Sequence, residues 1–431
     1  MDSLTAEPHI QAASEDNSVG TFVPREPFVL ADDRRQLVAS GVRTLLPQVT
    51  ALNASAAVST FFSESRAGSG PGVVVGGLPF NQHASVHLYQ PSEIDWNAKQ
   101  LNSAAEMPEA GKAASPPAPA VENAPAGDRW TVVAEPSRGD YARQVELALS
   151  AIAGTEGLEK VVLARRLALH STTPIDVQAV VARLRTDGSV TTFCVPLPPA
   201  TDSGSPNEAA RGAGGGVLVG ATPELLVERS GRQVISHPLA GSARRNQEEP
   251  DEDDAAGRRL LQSAKDLREH ALVVEMVADL LAPYCRTLNV PDVPSLASTR
   301  TMWHLGTQVR GELRSNDVSS AELAVLLHPT PAVCGMSKPL AYELIHKLEP
   351  FDRGFYAGAV GWCDDRGDGR WMVALRCAEL YEGDALLYAG AGIVAGSDPL
   401  AEAAETAAKF SAMLAALGAW DEQHMLEEET R

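Results

Sequence analysis

The stretch Tyr388-Ala-Gly-Ala-Gly-Ile-Val-Ala-Gly-Ser-Asp-Pro-Leu-Ala-Glu402-Ala-Ala-Glu405-Thr-Ala-Ala-Lys409 decides how the rest of this chain is read. It predicts a small-residue strand, a Ser-Asp-Pro turn and a helix. Ser397 or Asp398 is placed to cap that helix, and Pro399 sits near its first position, where a missing N–H costs nothing. Glu402, Glu405 and Lys409 then share a helix face. Gly390 and Gly392 let a ligand approach the backbone closely. Two acids and a lysine beside a strand without side chains suggest a site for an anion and a metal. A solvated Glu/Lys helix face would give the same pattern, so the weight rests on what the remaining chain brings to it.

The chain has 431 residues, 44% of them apolar, which is ample for a large core. The net charge of −20 argues against nucleic acid and anionic membranes as partners. An anionic substrate would therefore need locally supplied positive charge. No apolar run approaches the roughly 18 residues of a membrane span, and the N-terminus lacks a signal-peptide pattern. Five cysteines without CxxC spacing read as incidental thiols of a reduced, cytoplasmic protein.

Working outward, residues 1–20 read as a disordered N-terminus, 21–418 as one catalytic domain and 419–431 as an acidic tail. Residues 103–128, rich in Ala, Pro and Glu, read as a flexible loop inserted in that domain. Residues 198–215 read as a mobile excursion between strands. Asp140–Ala153 is expected to be a helix, Leu158–Arg165 a strand, and Val217–Glu228 a strand, turn and strand. The segment from His237 to Arg245 looks like a turn-rich loop and the acidic run 248–254 like a solvated one. Leu260–Leu281 is the longest helical pattern, with Asp266 and Glu269 on one face. Phe355–Trp362, Arg370–Leu380 and Ala385–Val394 are expected to form one antiparallel meander. A last turn centred on Gly383 would set Arg376 directly across from Gly390, a guanidinium beside a bare strand. That arrangement suits a carboxylate.

Nine segments in order, spanning roughly residues 130–417, carry a resemblance. They are EKVVLAR around Lys160, GATPELL around Glu224, HPLAGSARR from His237, KDLREH around Glu269, HLGT from His304, HPTPAVCG from His328, EPFDRGFYAGAVGW from Glu349, VALRCAEL around Arg376, and the quoted stretch to Thr406. Together they resemble the chorismate-utilising enzymes, the family of the isochorismate, anthranilate, salicylate and aminodeoxychorismate synthases. The isochorismate synthase branch is the nearest in pattern. A proline common in the family after HPTPA-x-x-G-x is replaced here by Ser337.

The resemblance implies an α+β fold, a single large domain of two packed antiparallel sheets flanked by helices, with the site between them. It also implies an isomerase that adds water at C2 of chorismate, shifts a double bond and expels the C4 hydroxyl. Water is a poor nucleophile and hydroxide a poor leaving group, so a base and an acid are both needed. By resemblance Lys160 is the base and Glu224 the acid. Lys160 then has to work as a neutral amine, through desolvation or a nearby cation, and Glu224 has to stay protonated through burial. Mg²⁺ is the implied cofactor, with Glu269 and Glu405 as ligands and Asp266 and Glu402 acting through water. Arg376 and the Gly390 backbone match the contacts to the enolpyruvyl carboxylate, with Lys409 nearby. Ala240, Gly241, Ser242, His304, Thr307, His328, Ala332 and Ala389 complete the implied substrate wall. The histidines lack metal spacing and read as pocket or hydrogen-bonding residues.

Two positions separate the branches. Anthranilate synthases carry Gln where Lys160 stands, because ammonia from a glutaminase partner is their nucleophile. One type of aminodeoxychorismate synthase carries a nucleophilic Lys where Ala240 stands. Water is therefore the expected nucleophile here, no glutaminase subunit is expected, and the family's usual form is a monomer. Salicylate synthase, which goes on to eliminate pyruvate, shares the same base and acid and is the alternative. A silent chorismate-binding subunit is the alternative from another class, but every acid, base and metal position is filled. Whether the product feeds catechol siderophores, menaquinone or salicylate is left open by the sequence.

Overall fold

The computed structural model describes residues 22–65, 70–96, 130–199 and 215–419. The N-terminal segment 1–20, the inserted loop 103–128 and nearly all of the 198–215 excursion and of the C-terminal tail lie outside the described residues.

Two large sheets face each other. The first runs Gly335–Met336, Lys160–Ser171, Asp384–Val394, Cys377–Tyr381, Gly216–Thr222, Thr191–Leu197, Phe28–Ala31, Gln36–Ser40 and Glu93–Asp95, with Trp130–Glu135 also paired to Lys160–Ser171. The second runs Cys285–Asn289, Val309–Leu313, Gln233–His237, Leu225–Ser230, Gly369–Val373, Ala359–Asp364, Val73–Leu78, His87–Gln90 and Thr44–Leu45. Every pairing between these strands is antiparallel. Strand alternation sorts the side chains into two cores. Phe193, Val195 and Leu218 share one core with Leu226, Val227 and Met372 of the second sheet. Cys194, Val217 and Val219 point outward, beneath Phe410, Met413 and Leu414 of the helix Pro399–Leu417 and Val180 and Val181 of the helix Val177–Leu184.

Several sequence expectations change. The C-terminal meander is split between the sheets: Ala359–Asp364 and Gly369–Val373 belong to the second, Cys377–Tyr381 and Asp384–Val394 to the first. The chain crosses over at Ala374, Leu375 and Arg376. Tyr381 pairs with Asp384 across a two-residue turn, so the register differs by one from that expected, and the ladder stops at Ala378, opposite Leu387, before reaching Arg376. The Val217–Glu228 pattern also divides, with Gly216–Thr222 in the first sheet and Leu225–Ser230 in the second. A residue run with period two looks the same whether its two halves serve one sheet or two.

The segment expected as a turn-rich loop contains a strand, Leu239–Arg244, which joins Met302–Gly306 and Ser295–Ser298 in a small third sheet. The long helix is two, Pro250–Gln262 and Ala264–Leu281, parted at Ser263, whose hydroxyl accepts from Asp266 N–H at 3.3 Å and caps the second. Most of the acidic run forms the first turn of Pro250–Gln262, where negative charge suits the helix dipole. Asp253 is buried there against Arg245, at 2.7 Å, and is not solvated.

Candidate active site

The site lies where the chain changes sheets. Gly216–Thr222 pairs with Cys377–Tyr381 in one sheet, and their continuations Leu225–Ser230 and Gly369–Val373 pair in the other. Both crossovers therefore occur side by side and are stitched together. Val373 N–H donates to Glu224 O at 3.1 Å, and Ala221 N–H donates to Arg376 O at 3.2 Å. One crossover carries Glu224 and the other carries Arg376, at φ 49°, a left-handed conformation uncommon for a non-glycine residue. Both side chains line one cleft between the sheets.

Glu224 is 3% exposed and its N–H donates to Thr222 Oγ1 at 3.3 Å. Burial pushes its carboxyl up to about 8, against the weaker opposing pull of the Lys160 charge and of a backbone hydrogen bond from Leu239. The carboxyl is thus kept as a proton donor near neutral pH, as the family resemblance requires of an acid.

Lys160 opens the strand Lys160–Ser171 and lies opposite Val394 in the eleven-pair ladder with Asp384–Val394. Its other edge is covered by Met336, in the Gly335–Met336 strand, directly before Ser337, the departure from the family pattern. Its side chain is fully buried, with Nζ 3.0 Å from Glu269 Oε1. That contact is an ion pair by distance but not a hydrogen bond by angle, so Nζ has no hydrogen-bond acceptor among the described residues. Lys160 does not itself line the cleft; it lies just behind Glu269 and Gly392, which do.

The carboxylates come from two capped helices. Glu269 projects from Ala264–Leu281; Glu405 projects from Pro399–Leu417, where Asp398 accepts from Ala401 N–H at 2.8 Å. Ser242 Oγ donates to Glu405 Oε1 at 3.1 Å, and Lys409 Nζ stands 2.7 Å from the same oxygen. Burial would raise the Glu405 carboxyl, but Lys409, Lys265 and Ser242 outweigh it and hold the group below the usual range. Lys409 Nζ also donates to Gly390 O at 2.7 Å, joining the helix to the bare strand.

Glu269 and Glu405 both face the cleft, whereas Asp266 and Glu402 do not line it. Asp266 is hydrogen-bonded to its own capping residue Ser263, and burial raises its carboxyl. Glu402 is taken by Lys265 Nζ at 2.6 Å, and burial together with the Glu405 charge raises its carboxyl as well. No group of three His, Cys, Asp or Glu side chains suited to a metal occurs among the described residues. The donor set fits a hard cation that takes one or two carboxylates and fills its shell with water and substrate oxygens, which is the habit of Mg²⁺. Glu269 and Glu405 are the residues that would hold it.

Of the expected substrate wall, Ala240, Gly241, Ser242, His304, Ala332, Arg376, Ala389, Gly390 and Lys409 line the cleft. Gly241, at φ 78°, forms a bulge opposite Leu305 and His304 that turns this strand around the site. Arg376 Nη2 donates to His304 Nε2 at 3.3 Å. Burial, then the Arg376 charge, pushes His304 well below its ordinary value, so it accepts as a neutral imidazole. Burial lowers Arg376 to about 10, which leaves it cationic at neutral pH.

Two expected wall residues are elsewhere. His328 Nε2 donates to Pro79 O at 2.9 Å, and its own carbonyl accepts from Gln82 and Lys338. Thr307 Oγ1 is 2.7 Å from His270 Nε2. A buried imidazole or hydroxyl must find a partner, and both find one outside the cleft. The sequence reading missed Tyr356 and Tyr388, whose rings stack at 5.1 Å on the cleft wall. For Tyr388 the signal was present: alternation from Gly390 places residues 388 and 392 on the same face.

A family model described as "Chorismate binding enzyme" matches residues 83–418. Isochorismate synthase DhbC of Bacillus subtilis is 43% identical over 398 residues, covering 91% of this chain and 93% of that protein. The crystal structure of a putative 2,3-dihydroxybenzoate-specific isochorismate synthase, DhbC from Bacillus anthracis, superposes with a TM-score of 0.78 at 39% identity, over 92% of this chain and 97% of its own. Anthranilate synthase component I from Streptococcus pneumoniae shares the fold, with a TM-score of 0.63 at 19% identity over 94% and 95% of the two chains.

Proposed function

This chain belongs to the chorismate-binding enzyme family, and from that premise we propose that it is an isochorismate synthase in which Lys160 activates water and Glu224 protonates the departing hydroxyl. The observation that carries the assignment of acid and base is a Glu224 carboxyl on the cleft wall, held protonated to about pH 8 by burial, together with a fully buried Lys160 whose Nζ stands 3.0 Å from Glu269, a residue that lines the same cleft. A proton donor on the cleft wall with an amine close behind it is what combined acid and base catalysis needs.

The atoms balance as an isomerisation. Lys160 takes a proton as the water oxygen bonds to C2, the ring electrons move, and the C4–O bond breaks. Glu224 gives its proton to that oxygen, which leaves as water. Substrate is held at two ends. Arg376, kept in place by neutral His304, meets one carboxylate beside the Gly390 backbone, and Lys409 supports the same strand. A Mg²⁺ on Glu269 and Glu405 would supply the positive charge that lets the other carboxylate approach two acidic side chains.

Chromatography of the purified protein with chorismate and Mg²⁺ tests the proposal. Isochorismate should build to an equilibrium mixture approached from either side, without salicylate or pyruvate. Salicylate accumulating with equimolar pyruvate would replace this reading by that of a salicylate synthase.

A further inference from the structure

Gly392 stands on the same face of its strand as Gly390, and its neighbours set it apart. A β-carbon built at Gly361, Gly76 or Gly335 would meet backbone atoms first, at 2.0–2.2 Å, so those glycines serve the packing of strands. At Gly390 it would meet Leu163 O and the Tyr356 hydroxyl, each at 3.0 Å. At Gly392 the three nearest atoms all belong to functional side chains: Glu269 Oε1 at 2.2 Å, Glu269 Cδ at 3.0 Å and Lys160 Cε at 3.0 Å. The Lys160–Glu269 ion pair therefore crosses the strand through the space where a side chain would be. The residue's φ lies outside the left-handed region, so alanine is conformationally acceptable there.

We propose that Gly392 is a positioning residue for the reaction: its missing side chain is the notch through which the Glu269 carboxylate, on the cleft wall, reaches Lys160 behind it. The inference rests on the reading of Lys160 and Glu269 given above. A methyl group in the notch has to push Glu269 Oε1 away by about 1 Å to reach ordinary contact distance, and a misplacement of that size costs about 10²-fold in rate. Arg376 and Lys409 are untouched, so at saturating Mg²⁺ the loss falls mainly on kcat and little on KM. Glu269→Asp shortens the acid by one methylene and withdraws it from the notch, which makes the steric part of the idea separable.

The experiment is a double-mutant cycle of Gly392→Ala and Glu269→Asp, read by kcat, by thermal unfolding without metal, and by Mn²⁺ titration followed by electron paramagnetic resonance. Gly392→Ala should lower kcat about 10²-fold with KM for chorismate within about threefold, lower Tm and weaken Mn²⁺ binding. In the Glu269→Asp background the same change should cost less than about threefold in kcat and leave Tm nearly unmoved. Additive losses in kcat and Tm would overturn the proposal, as would a Gly392→Ala protein with more than a third of wild-type turnover. If Gly392→Ala alone fails to fold, folding of the double variant supports the notch, and failure of both overturns it. A wild type inactive on chorismate would instead overturn the functional reading, and the Tm cycle would still decide on the notch.

Discussion

Glu224 and Glu405 are both buried carboxyls on one cleft, yet they titrate in opposite directions. Glu224 lies on a crossover between sheets, where burial outweighs the Lys160 and Lys409 charges and a backbone hydrogen bond from Leu239, and carries it up to about 8. Glu405 lies on a helix one turn before Lys409 and within reach of Ser242, and it is held below the ordinary range. Burial is common to the two; neighbours differ. The carboxyl meant to give a proton feels lysine charge without a side-chain hydrogen bond, and the one meant to hold charge is bonded directly to Lys409 and Ser242. The difference assigns the two ends of the site without reference to substrate.

The largest effect should come from the charged end. Chelation with EDTA should abolish turnover and Mg²⁺ should restore it, and Glu405→Ala or Glu269→Ala should give folded protein with little activity. Full activity in chelator would remove the reason for keeping Glu405 charged. Next comes the base: Lys160→Gln should cost about 10²–10⁴ in kcat with KM little changed. Retention of more than about a tenth of wild-type turnover would make Lys160 a bystander.

Glu224→Gln should lose a similar factor in kcat but gain stability. The wild-type carboxyl keeps its proton in the folded protein to about pH 8, while its ordinary value is 4.5, so between these values unfolding releases a proton and rising pH destabilises the fold. Glutamine has no proton to lose. The Tm advantage of Glu224→Gln over wild type should therefore grow from pH 5 to pH 8, and a constant difference would contradict the raised value. The smallest effect belongs to Thr222→Val, which deletes the hydroxyl that Glu224 N–H donates to. It should cost about 1 kcal/mol of stability and a few-fold in kcat. No loss in either would show that the turn holds Glu224 without that bond.

The sequence made the two ends visible unequally. The helix end was legible because its signals are local: Ser-Asp-Pro sets the cap, and spacing sets Glu405 and Lys409 on one face. Ordered motifs also placed Lys160, Glu224 and Glu269 in one family and hence one fold. The crossover end was not legible as geometry. Val373 through Leu380 reads as one strand because alternation continues through Ala374 and Leu375, and a positive φ at an arginine carries no mark such as glycine would. The small third sheet was hidden because turn residues such as Pro238 and Gly241 lie within or beside its first strand, where Gly241 makes a bulge. His328 was misplaced because a buried histidine satisfied by a backbone carbonyl is indistinguishable in sequence from one facing a ligand. Gly392 was visible as a glycine, but what its bareness accommodates depends on Glu269, 123 positions away in the chain.

The pH dependence of kcat/KM for chorismate from pH 6 to 10 tests the central claim most directly, because it reads the proton on Glu224 in the free enzyme. The account predicts a fall that begins near pH 8 and steepens to tenfold per pH unit, with the alkaline limb set by the Glu224 carboxyl. A profile flat to beyond pH 9, or one already falling tenfold per pH unit at pH 6, would show that Glu224 does not hold the proton the reaction uses.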